Sequence, residues 1–119
     1  MLSVDKTSSV TLFEQLHSQV IEQITNGSLI AGTKLAPVRQ LAKTLEVAPY
    51  TVARLYRALE ADGFVETLGR NGTVVKARAG TSAGLLQVAA NEYAARAQTL
   101  GIDRESALTW VTLALRDLR

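Results

Sequence analysis

The stretch VRQLAKTLEVAPYTVARLYRALEADGFVETLGRNGTVV, residues 38–75, changes its period partway through. Val38, Leu41, Ala42 and Leu45 fall at i, i+3, i+4 and i+7, the spacing at which side chains share one face of a helix. Val52, Leu55, Tyr56 and Leu59 repeat that pattern. Between the two sets lies Glu46-Val47-Ala48, room for a turn and little else. Pro49 suits the first turn of the second helix, where its missing N–H is not needed. Two short amphipathic helices joined so tightly predict a helix-turn-helix. Asp62-Gly63 closes the second helix, which spans about 49–62. Then Phe64-Val65-Glu66-Thr67-Leu68, Gly69-Arg70-Asn71-Gly72 and Thr73-Val74-Val75-Lys76 read as strand, turn and strand. A hairpin directly after such a helix pair is a wing, here about 64–76, so the central stretch predicts a winged helix.

Working outward, Thr11 and Glu14 form a T-x-x-E capping box, in which the threonine oxygen accepts from the Glu14 amide while the glutamate reaches back. Leu12, Leu16, Val20 and Ile24, with Phe13 and Ile21 beside them, continue as a helical stripe that ends at Asn26-Gly27. Gly32 marks a turn, and Lys34-Leu35 is long enough only for a very short strand. On the other side, residues 80–84 are small and predict a linker. A helix from about Ser82 to Leu100 follows, Gly101 breaks it, and Asp103 is a good N-cap for another running to near the end. The expected fold is mainly α with a small β wing. A winged helix-turn-helix domain over residues 1–78 precedes a C-terminal two-helix dimerisation hairpin over residues 79–119.

The formal net charge of +2 on 119 residues hides an uneven distribution. Residues 34–78 carry eight basic side chains against four acidic ones, whereas residues 1–33 are net negative and residues 79–119 balance. Positive charge concentrated in the middle third is how a phosphate-binding surface looks in sequence, although a solvated mixed surface gives a similar count. The absence of cysteine excludes disulfides and thiolate metal sites, and a single histidine, His17, argues against an imidazole metal site. His17 reads as structural, beside an apolar stripe. No run of apolar residues is long enough for a membrane span, and the first residues lack the pattern of a signal peptide, so a cytoplasmic location is expected.

On the helix over 49–62, Val52, Leu55 and Leu59 point one way, and Tyr50, Arg54 and Arg57 lie close to the opposite direction. The face away from the core is the one that enters a major groove, where arginine pairs bidentately with guanine. Tyr50 and Thr51 stand at the helix N-terminus, within reach of phosphates. Arg70 and Asn71 at the wing tip suit a minor groove, whose negative potential attracts arginine. The plainer reading pairs Arg54 and Arg57 with Glu60 and nearby acids on a solvated face, and leaves the winged helix as a protein–protein interaction module without specific DNA binding. Tyr56 falls on the apolar side and is expected in the core.

With these residues in place the chain resembles the GntR family of bacterial transcription regulators and, within it, the YtrA-like subfamily. The resemblance covers about residues 8–77. It rests on Leu12-Phe13-Glu14-Gln15-Leu16, Gly32-Thr33-Lys34-Leu35, Arg39-Gln40-Leu41-Ala42, Pro49-Tyr50-Thr51-Val52-Ala53-Arg54 with Tyr56 and Leu59-Glu60, and Gly69-Arg70-Asn71-Gly72-Thr73-Val74-Val75. The resemblance implies a sequence-specific DNA-binding regulator, a repressor acting on a palindromic operator as a homodimer. It makes Arg39 a phosphate clamp, with an ion pair to Glu46 as the alternative, and adds Lys34 to the DNA-binding set. The chain departs from the family where Leu35-Ala36-Pro37-Val38 replaces the usual Leu-Pro-Ser, removing a hydroxyl cap. It also departs at Glu46, where glycine is common, and at Pro49 and Ala53, where many relatives carry arginine. Larger relatives carry a ligand-binding domain or a fused aminotransferase after the winged helix, and about 40 residues hold neither. No enzyme activity and no cofactor are expected, and the sequence names no small-molecule effector.

The C-terminal helices are richer in apolar side chains than one hairpin can hide. Leu86, Tyr93, Leu108, Trp110, Val111 and Leu115 are the expected dimerisation residues, with Trp110 as a packing anchor. Each such side chain gains roughly 1.5–3 kcal/mol on full burial, and a two-fold dimer is the economical way to bury them.

Overall fold

Helix α1, Leu12–Thr25, begins where its capping residue predicts. Thr11 is extended, and its hydroxyl accepts from the Glu14 amide at 3.2 Å. A computed structural model describes residues 2–77 and 82–118. The expected domain boundary at 78/79 and residues 80 and 81 of the expected linker lie outside the described residues. Helix α2, Val38–Leu45, and helix α3, Pro49–Ala61, enclose the three-residue turn Glu46-Val47-Ala48. Glu46 caps α2 in the left-handed region at φ 56°, the one non-glycine residue with positive φ among those described. A side chain there crowds its own backbone, which costs roughly 1–2 kcal/mol.

Strands β1, Val65–Thr67, and β2, Thr73–Val75, pair antiparallel with Val65 opposite Val75, and a 3-10 turn, Gly69–Asn71, joins them. Gly69 and Gly72 both take positive φ, as a hairpin this tight requires. The short strand expected at Lys34-Leu35 is a single bridge from Lys34 to Val74, extended by Leu35 N–H to the Thr73 carbonyl at 2.8 Å and Gly32 N–H to the Val75 carbonyl at 2.7 Å. The wing is thereby tied to the segment that precedes α2.

Leu16, Val20, Ala42, Leu45, Val52, Leu55, Tyr56, Leu59 and Val65 form one buried cluster where α1, α2 and α3 meet the wing. Ile24 and Leu41 are half-buried at its rim. The Tyr56 hydroxyl donates to the Ala36 carbonyl at 2.5 Å, and burial pushes its pKa up to about 12. An N-terminal arm also packs here. Leu2 and Val4 touch the core, and Gln19 and Gln15 each bond both backbone groups of one arm residue, Ser3 and Asp5, at 2.7–3.0 Å. Lys6 Nζ then reaches the Glu46 carbonyl at 2.6 Å.

Helix α4, Ser82–Thr99, and helix α5, Arg104–Leu115, form a hairpin. Asp103 caps α5 by accepting from the Ser106 amide at 3.1 Å, and Gly101 turns the chain at φ 72°. The expected linker over 80–84 is corrected at its end, because Ser82, Ala83 and Gly84 are helical and Gly84 is buried. Ala83 and Gly84 line the same crevice as Ile24, Leu29 and Val75, so their small size admits the first turn of α4 close to the winged helix. The radius of gyration is 16.4 Å, against about 13.5 Å for a compact chain of this length. The hairpin accounts for the excess by standing away from the core.

Candidate nucleic-acid interface

Helix α3 buries Val52, Leu55, Tyr56 and Leu59 and therefore presents Tyr50, Arg54 and Arg57 to solvent. Tyr50 is 69% exposed, and the Arg57 guanidinium stands 5.9 Å from its ring centre, so an aromatic plane props the arginine over the helix face. Arg54 is drawn sideways onto α1, with its guanidinium 4.1 Å from the ring centre of Phe13. Phe13 in turn stacks on His17, whose Nε2 lies 3.8 Å from Asp62. His17 thus bridges α1 and the end of α3, a structural placement. Thr51, expected at the interface, is half-buried.

Neither helix of the helix-turn-helix pair has a side-chain cap. Pro37 and Ala48 occupy the N-cap positions of α2 and α3 and offer no acceptor. Both α1 and α5, by contrast, are capped by Thr11 and Asp103. An uncapped N-terminus leaves amides directed outward and a partial positive charge behind them. Arg39 is exposed in the first turn of α2, close to one of these ends.

At the wing, Arg70 and Asn71 sit exposed in the 3-10 turn. Lys34 joins them through space, because its Cε lies 3.0 Å from where a Cβ on Gly72 would stand. Among the described residues no ion pair engages Lys34, Arg39, Arg54, Arg57 or Arg70. The pairings with Glu60 and Glu46 do not form; Glu60 instead accepts from the Thr67 amide at 3.0 Å and ties α3 to β1. Two arginines rest on aromatic rings and the remaining cations face solvent, which gives a positive surface unneutralised by the protein itself.

The residues expected for pairing lie elsewhere, on the tail. Leu86, Tyr93, Leu108, Trp110 and Leu115 are exposed and Val111 is half-buried. Trp110 is 53% exposed and lines a crevice with Leu100, Ile102 and Ala107. Tyr93 has a second role, since its hydroxyl donates to the Ala107 carbonyl at 2.7 Å and pins α4 to α5. Beside it, Ala97, Ile102, Leu108 and Val111 line a shallow groove between the helices. No described helix is long and apolar enough to cross a membrane.

Sequence reasoning missed the N-terminal arm and the side chains that stitch it down. The signal available was the i, i+4 pair Gln15 and Gln19, which resembles any polar helix face until the arm lies beside it.

Residues 12–75 match the model of a family described as bacterial regulatory proteins, gntR family. The HTH-type transcriptional regulator Rv1152 of Mycobacterium tuberculosis is 43% identical over 111 residues, covering 93% of this chain and 91% of that protein. The HTH-type transcriptional repressor YtrA of Bacillus subtilis is 37% identical over 82 residues, covering 69% of this chain and 63% of YtrA. Among solved structures, YtrA from Sulfolobus acidocaldarius, a GntR-family transcription factor, superimposes with a TM-score of 0.60 at 25% identity over 97% of each chain.

Proposed function

From the premise that this chain belongs to the gntR family of bacterial regulatory proteins, in its YtrA-like branch, we propose that it is a homodimeric repressor of a palindromic operator. As a family member it is a DNA-binding transcription regulator. In the proposed complex, residues 1–78 read DNA and residues 79–119 pair the two copies. Two half-sites about one helical turn apart meet the two recognition helices.

The observation that carries the DNA reading is the set of exposed cations on α3, α2 and the wing that no acidic side chain neutralises among the described residues. Arg57, propped on Tyr50, is the candidate for a base edge. Arg39, beside the uncapped start of α2, is the candidate for a phosphate that flanks the groove. Arg54, expected from sequence at the bases, is reassigned to a flanking phosphate because it rests on Phe13 at the α1 side. Tyr50 and Thr51 stand at the uncapped start of α3, where Pro49 has no N–H and the Thr51 amide bonds the Ala48 carbonyl, so the Tyr50 amide is the candidate for a phosphate oxygen. Lys34, Arg70 and Asn71 accompany the wing to the adjacent minor groove. The name of YtrA of Bacillus subtilis, a transcriptional repressor, supports repression, and the exposed apolar face of α4 and α5 supports pairing.

Selection of bound sequences from random duplex DNA tests the whole reading. A palindromic consensus is expected, with affinity falling as salt rises at a log–log slope of about −0.9 per phosphate neutralised. Arg57→Ala is expected to lose about 1–3 kcal/mol and relax preference at one base position, whereas Arg39→Ala weakens good and poor operators alike. Failure to enrich any sequence, or a slope near zero, would favour a protein–protein module instead.

A further inference from the structure

Gln87 and Asn91, one turn apart on α4, close both hydrogen-bonding groups of a single residue of the winged helix. The Ala31 amide donates to Gln87 Oε1 at 3.0 Å, and Asn91 Nδ2 donates to the Ala31 carbonyl at 2.7 Å. Ala31 is buried, so its backbone groups need partners away from water, and α4 supplies them. The next residue, Gly32, has φ 87°, and a Cβ there would stand 3.2 Å from Asn91 Nδ2 and 3.7 Å from the Val88 Cα. A side chain at this position would therefore crowd the Asn91 amide and adopt a left-handed backbone that glycine takes freely. From the same turn, Gly32 N–H donates to the Val75 carbonyl at 2.7 Å and Val75 N–H to the Thr33 carbonyl at 2.9 Å. These bonds join the turn to β2, and β2 leads back to Arg70 and Asn71. The tail is thus fastened to the wing by side chains, independently of the chain that runs through residues 78–81.

We propose that Gln87 and Asn91 are positioning residues that hold the pairing helices in one orientation to the wing and so select one spacing between operator half-sites. The inference rests on the dimeric reading above. Without a fastening between α4 and the winged helix, the two winged helices of a dimer would tolerate a range of separations, as tethered modules do. Two hydrogen bonds at i and i+4, seated against a glycine turn, leave one.

The two side chains differ in what they must do, and that separates this role from mere packing. Gln87 accepts, so glutamate at its position keeps the bond. Asn91 donates, so an ionised aspartate at its position loses the bond and sets negative charge against the Ala31 carbonyl. The full-length chain and its Gln87→Glu, Gln87→Ala and Asn91→Asp variants would be titrated against operators whose half-site separation changes one base pair at a time. Sedimentation and hydrogen exchange at the Ala31 amide would accompany the titrations. The wild type and Gln87→Glu should favour one separation and protect the Ala31 amide. Gln87→Ala and Asn91→Asp should remain dimeric and keep single half-site affinity, yet bind the favoured spacing about tenfold more weakly and accept neighbouring spacings nearly as well. Should Asn91→Asp fail to fold, Gln87→Ala against Gln87→Glu carries the same comparison. If every variant keeps the wild-type spacing preference, the clamp does not set it and the inference is overturned, with the dimeric reading intact. If the wild type itself is monomeric or indifferent to spacing, the dimeric reading fails and this inference falls with it.

Discussion

The winged helix and the helical tail are both rich in apolar side chains and treat them in opposite ways. In the winged helix, Leu16, Val52, Leu55 and Leu59 are completely buried. In the tail, Leu108 is 59% exposed, and Leu85, Leu86, Leu113, Leu115 and Leu118 are exposed with it. The difference lies in the number of elements available. Three helices and a hairpin surround a common interior, whereas two helices alone can cover only the seam between them. Gly84 is the one buried residue on α4 and none on α5 is buried, among the described residues. Gln87 and Asn91 on Ala31 bond the tail to the winged helix, and Tyr93 on Ala107 bonds α4 to α5. A region that stabilises itself and a region whose apolar side chains stay exposed in one chain should respond differently to the same perturbation.

Removing the tail should have the largest effect. A fragment ending at Arg78 keeps the entire buried cluster and should retain helical circular dichroism, but should sediment as a monomer and lose roughly 10²–10⁴-fold in operator affinity through lost simultaneous engagement. A fragment that still sediments as a dimer would place the pairing surface in the winged helix. Point changes sharpen the contrast. Leu59→Ala should cost about 2–5 kcal/mol of folding stability at any protein concentration. Trp110→Ala should instead cost about 2–4 kcal/mol of pairing, visible as dissociation on dilution, with little change in the dilute monomer's melting.

The core also carries a titratable group whose ionisation burial opposes. The Tyr56 phenol is held neutral by burial, with its pKa raised from 10.0 to about 12. The stability of that neutral form is fully present below about pH 10 and is lost progressively as pH rises toward 12. Tyr56→Phe should cost about 1 kcal/mol at neutral pH, through the lost bond to Ala36, and should show a flatter stability profile between pH 10 and 12 than the wild type. Urea titrations of both proteins across that interval provide the comparison. The smallest effect is expected at the turn between α2 and α3. Glu46→Gly relieves the left-handed conformation and should stabilise the winged helix by up to about 1 kcal/mol. The Lys6 bond should survive, because it ends on the backbone carbonyl. A lowered denaturation midpoint would mean that the glutamate side chain compensates for its strained backbone.

Much of this molecule is written in local signals. Thr11 and Asp103 mark helix starts because their oxygens satisfy amides three residues on. Pro49 opens α3, and the departure from glycine at Glu46 foretells a strained left-handed residue. The alternation after Gly63 becomes the wing, and the helix wheel separates buried Leu55 from exposed Arg57. The interface is legible to the same extent. Which residues face outward follows from period, but where their side chains rest does not. Arg54 lies on Phe13, about forty residues away in the chain, because α1 crosses beside α3. Lys34 lies over Gly72 because a strand-like segment closes on β2.

Sequence by itself determined the elements, their order, and which face of α1, α2 and α3 is apolar, because periodicity, caps and glycine or proline punctuation act over a few residues. Tertiary structure alone decided how the polar side chains are spent. Gln15 with Gln19, and Gln87 with Asn91, have the same i, i+4 spacing and the chemistry of an ordinary solvated helix face. They become a fastening for the N-terminal arm and a clamp on Ala31 only once the fold lays backbone with free donors and acceptors beside them. An amide side chain bonds either sign of partner, so nothing in its local sequence names the peptide group that it will meet.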